Sequence, residues 1–79
     1  MFDVNELLDK AIKETANIHQ GEIFLLKDLF MGYEWNRIDR SSRLLLGTLF
    51  LNHVNKVKGE VAAIEKNVSG LQRYVKSKI

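Results

Sequence analysis

The sequence predicts a small mixed α+β domain, and three observations carry that prediction. Apolar residues recur at helical spacing from Val4 to Ile12 and again from Leu46 to Val54. Between them lies a short β-prone run, Glu22-Ile23-Phe24-Leu25. The tail then sets turn chemistry, Asn67-Val68-Ser69-Gly70, between two segments that each contain valine and other apolar residues.

The elements follow in order. Asp3 is placed to accept hydrogen bonds from the free amides of a first helical turn, and Glu6 three residues later completes a capping-box pattern. Phe2 and Leu7 stand where a hydrophobic staple packs. Val4, Leu7, Leu8, Ala11 and Ile12 form one stripe, and the helix is expected to fade near Ala16 to Gly21, with Gly21 supplying the left-handed residue that ends it. Leu26 to Met31 reads as one or two helical turns, interrupted at Gly32 and resumed over Tyr33 to Ile38. Asp39, Ser41 and Ser42 are all helix-starting residues, so a third helix is expected from about Asp39 or Arg40 to Asn55. Its Leu46, Leu49, Phe50, His53 and Val54 share one face; Arg40, Ser41, Leu44, Thr48, Leu51 and Asn55 share the other.

The tail reads two ways. Val61, Ile64, Val68, Leu71 and Val75 follow a three-four spacing that suits a helix. Asn67 to Gly70 suits a hairpin, and Gly70 inside a helix would cost about 1 kcal/mol relative to alanine. The turn chemistry tips the reading toward the hairpin.

Composition narrows the function. The 79 residues are 46% hydrophobic and 28% charged, globular rather than disordered, and are expected to form one domain over residues 1–79. A core this small makes a homodimer a reasonable expectation. The absence of cysteine excludes disulfides and thiolate metal sites. The N-terminus carries acids where a signal peptide has bases, and the longest apolar run, residues 44–51, is far short of the roughly 20 residues of a membrane span. A soluble, cytoplasmic protein with no membrane partner is expected. Charge is uneven: residues 1–34 hold three bases and seven acids, net −4, whereas residues 35–79 hold nine bases and three acids, net +6. Such a split points the second half toward an anionic partner.

Several short words of the sequence resemble a family of small bacterial and phage proteins without an assigned function and with a winged-helix pattern. They are Phe24, Leu26-Lys27-Asp28-Leu29-Phe30, Trp35, Arg43, Leu46-Gly47, Phe50 and Tyr74, within residues 22–76. The resemblance implies a small α+β winged-helix domain: helix, short strand, helix, helix and a two-stranded wing. It moves the tail to the hairpin and lets residues 22–25 pair with it as a third strand. Leu29, Phe30, Trp35 and Ile38 then become packing between the second and third helices. One position departs from the pattern: the residue after Gly47 is often basic in that family and is Thr48 here.

Candidate chemistry is sparse. His19 and His53 have no acid at ligand spacing, so no metal is expected, and His53 reads as a core histidine. Ser41 and Ser42 are more simply caps than nucleophiles, and the five glycines form no phosphate-cradling motif. No enzyme, no cofactor and no small-molecule substrate are expected. Binding to double-stranded DNA is the leading expectation, in the role of a phage or mobile-element regulator. Arg37, Arg40, Ser41 and Arg43 would lie at the start of the third helix, with Lys66 and Arg73 on the wing. The alternative is a dimerisation or protein-interaction module that uses Leu44 and Leu51 on the outer face of the third helix, without DNA.

Overall fold

The computed structural model describes residues 3–57 and 59–77; the expectation for Phe2 falls outside these. Three helices and a three-stranded antiparallel sheet are arranged as α1 (Val4–Glu14), β1 (Ile23–Leu25), α2 (Gly32–Arg37), α3 (Arg40–Lys56), β2 (Val61–Ile64) and β3 (Arg73–Lys76). Short 3-10 turns cover Thr15–Asn17 and Leu26–Leu29. The order β1-β3-β2 places the tail strand at the centre of the sheet. This is an α+β, winged-helix-like layout, with residues 65–72 as the loop of the wing.

Both sheet connections rest on one backbone device. Gly21 does not end α1, as the sequence suggested; that helix is already closed by the 3-10 turn at Thr15–Asn17. Instead Gly21, at φ 85°, ends a tight turn in which the Glu22 amide donates to the His19 carbonyl at 3.0 Å. The Gly21 amide donates to the Lys76 carbonyl, and the Lys76 amide donates to the Glu22 carbonyl. Two residues thus oppose one, which is a glycine-type bulge. The hairpin loop repeats the device. Gly70, at φ 81°, donates to the Asn67 carbonyl, while the Asn67 amide donates to the Leu71 carbonyl, both at 2.9 Å. The Asn67 side-chain Oδ1 also accepts from the Ser69 and Leu71 amides. The expected turn at Asn67–Gly70 is therefore present, and Asn67 organises it.

The core lies between the sheet and the helices. Phe24, Phe50 and Tyr74 join β1, α3 and β3: Tyr74 meets Phe50 edge-on at 4.9 Å and stacks on Phe24 at 5.8 Å. Tyr74 is only 2% exposed, and burial pushes its hydroxyl up to about 12. Ala11, Leu46, Val54 and Val61 complete this cluster. Leu29 and Phe30 belong to it, Ile38 is buried at the end of α2, and half-buried Trp35 lies 5.8 Å from Phe30. The aromatic stretch of residues 24–38 is thus mainly core, as the family resemblance implied, with Tyr33 left exposed. Gly32 does not interrupt the helix that follows it; it is the first residue of α2.

Polar contacts then fix the helices. Lys10 of α1 pairs with Glu34 of α2, whose Oε1 also accepts from the Met31 amide at 3.1 Å. The Lys10 hydrogen bond, followed by the Met31 amide, holds the Glu34 carboxyl below its ordinary value. Asp39 caps α3 by accepting from the Ser42 hydroxyl and amide, which likewise lowers its pKa. Lys76 Nζ donates to the Thr15 carbonyl and so ties β3 to the end of α1.

Two glycine substitutions should change stability in opposite directions. Gly70→Ala forces a Cβ into the left-handed region and should cost about 1–2 kcal/mol. Gly47 lies inside α3 at helical φ, and a Cβ added there would meet nothing within 4 Å, so Gly47→Ala should gain roughly 0.5–1 kcal/mol. Urea unfolding of both variants checks the pair. Acid provides a second test. Glu34 has a lowered folded pKa, so its contribution is full above the unfolded value and is lost as pH falls through the folded one. Glu34→Gln should therefore lower stability at neutral pH and shrink the difference between neutral and acid unfolding midpoints.

Candidate nucleic-acid interface

The interface expected from the sequence divides into parts that do not share a surface. The division begins with Tyr74, whose side chain faces α3. Successive strand residues point to opposite faces, so Arg73 and Val75 face the other way. Arg73 stands on the outer face of the sheet, in the row Leu25, Arg73, Ile64, with its Nε donating to the Glu65 carbonyl at 2.9 Å. It cannot join Arg40 in one positive patch on α3, because the sheet lies between them.

Arg43 is also absent from the outer surface of α3. Its Nε and Nη2 donate to the Trp35 carbonyl at 3.2 and 2.8 Å, and its guanidinium lies 5.3 Å from the Trp35 ring. It closes the C-terminal end of α2 and holds α2 against the start of α3. The two acids nearest to it in sequence are engaged elsewhere, Glu34 with Lys10 and Asp39 chiefly with Ser42, although the Arg43 charge also favours the ionised Asp39. Arg37 lies over the Tyr33 ring at 5.1 Å, on the exposed side of α2.

What remains on α3 is a continuous outward face. Arg40, Ser41, Leu44, Leu45, Thr48, Asn52, Asn55 and Lys56 are all exposed. The helix has 17 residues and no acid, in a chain with ten acids. Leu44 and Leu45 are 63% and 50% exposed, whereas Leu51 is half-buried and packs against the core. The exposed leucine pair is therefore Leu44 with Leu45, not Leu44 with Leu51. Helix angle does not separate them, because a seven-residue step falls only about 20° short of two full turns; Leu51 differs in packing against the core. Thr48, at the centre of the outward face, donates its hydroxyl to the Leu44 carbonyl at 3.2 Å. Asn52 and Lys56 join the face beyond the residues that the sequence reading assigns to it; the signal available is their four-residue spacing from Thr48.

The words of sequence that carry the family resemblance mark packing rather than a binding surface. Phe24, Leu29, Phe30, Leu46, Phe50 and Tyr74 are buried, and Arg43 and Trp35 form the α2–α3 joint. Residues 9–76 match a family described as a domain of unknown function, DUF1413. The chain belongs to the DUF1413 family. No curated protein and no solved structure matches it. The DUF1413 match spans every strand and helix except the first five residues of α1, so the α3 face and the wing both lie inside it.

His53 is half-buried beside a cavity of about 10 Å³, lined also by Ile12, Phe50 and Val61, which has room for about one water. Among the described residues no group of three or more His, Cys, Asp or Glu side chains is placed to hold a metal ion. No helix among them is long and apolar enough to cross a membrane.

The role of Arg43 can be tested without any ligand. Arg43→Ala should cost about 1.5–2 kcal/mol, the lower part of the range for hydrogen bonds to a charged group, because the guanidinium is part-buried. Arg43→Lys should recover less than half of that, since an ammonium cannot reproduce the fork on the Trp35 carbonyl. Equal stability of wild type and Arg43→Ala in thermal unfolding would return the arginine to the pool of free surface charges.

Proposed function

We propose that this chain binds double-stranded DNA through the outward face of α3, with Lys66 of the wing as an added phosphate contact. The observation that carries the reading is the acid-free face itself. DNA repels carboxylates, and a helix entering the major groove needs small polar and basic residues where base edges and phosphates lie. Arg40 and Ser41 stand at its first turn, Asn52 and Asn55 in its second half and Lys56 at its end. Asparagine pairs with adenine, serine and threonine with bases or phosphate, and exposed leucine with a thymine methyl. The α2–α3 arrangement followed by a wing supports the same docking mode. A regulator of phage or mobile-element genes is the cellular role this mode suits.

The exposed Leu44 and Leu45 favour a second reading, in which the same face meets a protein. The two readings separate in one experiment. Duplex binding should weaken as salt rises, with a log–log slope of about −0.9 per phosphate neutralised. Arg40→Ala and Lys56→Ala should each reduce that slope by about one unit. Arg73→Ala should leave it unchanged, because Arg73 lies on the opposite side of the sheet. Absence of any duplex binding at low salt overturns the DNA reading in favour of the protein one. A slope that responds to Arg73 but not to Arg40 overturns the assignment of the face.

A further inference from the structure

The exposed arc of α3 has an apolar centre and a polar surround. At about 100° per residue Thr48 falls at the middle of the arc, with Leu44 and Leu45 four and three residues before it. At those spacings each leucine adjoins the threonine on the helix surface. Leu44 and Leu45 are 63% and 50% exposed. The Thr48 hydroxyl donates to the Leu44 carbonyl, so what Thr48 has left for a partner is chiefly its methyl group. Around this patch stand Ser41, Asn52 and Asn55, and cations occur on the arc only at its ends, Arg40 and Lys56.

We propose that this patch reads the C5-methyl groups of thymine, so that the duplex α3 prefers carries A·T pairs at the centre of its site. The proposal rests on the DNA reading of the face and gives it a sequence preference. Each base pair shows its own pattern in the major groove, and thymine alone adds a methyl group there. Leucine and threonine methyls match that group, and asparagine pairs with the adenine edge. G·C pairs lack their usual readers at the centre. Guanine is met most often by arginine or lysine, which the arc holds only at its ends, and the cytosine amino group by a carboxylate, which the arc lacks. The dimensions agree: Leu44 to Thr48 rise about 6 Å along the axis, close to two base steps of ~3.4 Å. Charge favours a nucleic acid over a protein as the occupant, because an acid-free arc with a cation at each end suits a polyanion.

Two duplexes of equal length test the proposal, one of alternating A·T pairs and one with deoxyuridine in place of every thymidine, titrated at one low salt concentration. Uracil keeps the pairing and the charge and loses only the methyl group. The wild type should bind the thymine duplex roughly tenfold more tightly, since each buried methyl contributes about a fourfold effect and the patch spans two steps. Leu44→Ala combined with Leu45→Ala should bring the two duplexes close to equal affinity. Both side chains are exposed, and circular dichroism checks that the variant keeps the fold. Lys56→Ala should weaken both duplexes alike and keep their ratio. Equal wild-type affinity for the two duplexes overturns the methyl assignment while DNA binding stands. A thymine preference that survives in the leucine variant also overturns it, and traces the preference to duplex shape or another contact. Absence of binding to either duplex ends both this proposal and the DNA reading, and gives the leucines to a protein partner.

Discussion

The placement of Tyr74 between Phe24 and Phe50 is the constraint on which the rest of the structure depends. One ring joins the two paired strands β1 and β3 to the middle of α3, across residues separated by 50 and 24 positions in the chain. Because strand side chains alternate, fixing Tyr74 inward fixes everything else on β3. Lys76 comes inward to reach the end of α1, while Arg73 and Val75 go outward. A slip of one residue would bury Arg73 and expose Tyr74, so the register is strongly specified. The consequence is that Arg73 does not form one positive surface with Arg40 on α3.

The two glycine bulges make that register attainable. Gly21 and Gly70 stand at the two ends of the sheet, each letting a tight turn pass into a twisted strand without straining a side chain. Asn67 adds side-chain acceptance to the second turn, which keeps the wing loop ordered although Val68 at its tip is fully exposed. On the helical side, the Arg43–Trp35 contact and the Lys10–Glu34 pair hold short α2, which is too brief to be stable alone, against α3 and α1. With α2 held, the outward face of α3 is presented on a rigid support.

Much of this is legible in the residues. Asp3 and Asp39 announce the starts of α1 and α3 because an N-cap is a local event, settled within a few residues. The turn at Asn67–Gly70 is legible for the same reason, and the inward set Leu46, Phe50 and Val54 follows from periodicity. What escapes the sequence depends on pairing between distant segments. Gly21 looks like a helix terminator unless its partner Lys76 is known to lie across from it. Arg73 looks like part of one surface with Arg40 unless the inward turn of Tyr74 is known. Arg43 looks free until α2 brings the Trp35 carbonyl beneath it. Leu51 escapes for the same reason: it lies at nearly the same helix angle as exposed Arg40 and Leu44, and only its packing against the core sets it apart. The exposed face of α3 is half visible. Periodicity places Arg40, Ser41, Leu44, Thr48 and Asn55 on it, and the four-residue spacing from Thr48 extends to Asn52 and Lys56, whereas Leu45 emerges only once the buried side of the helix is fixed by its neighbours.

In the proposed mode α3 carries the binding face, and the outer sheet surface stands apart from it. Titrating isotope-labelled protein with a short duplex, and following each backbone amide by NMR, tests that division directly. Shift changes are expected at Arg40, Ser41, Thr48, Asn52 and Asn55, and at Lys66 on the wing, with Ile23, Ala62 and Val75 unmoved. Changes concentrated on Ile23, Ala62, Arg73 and Val75, with the α3 face silent, would contradict it.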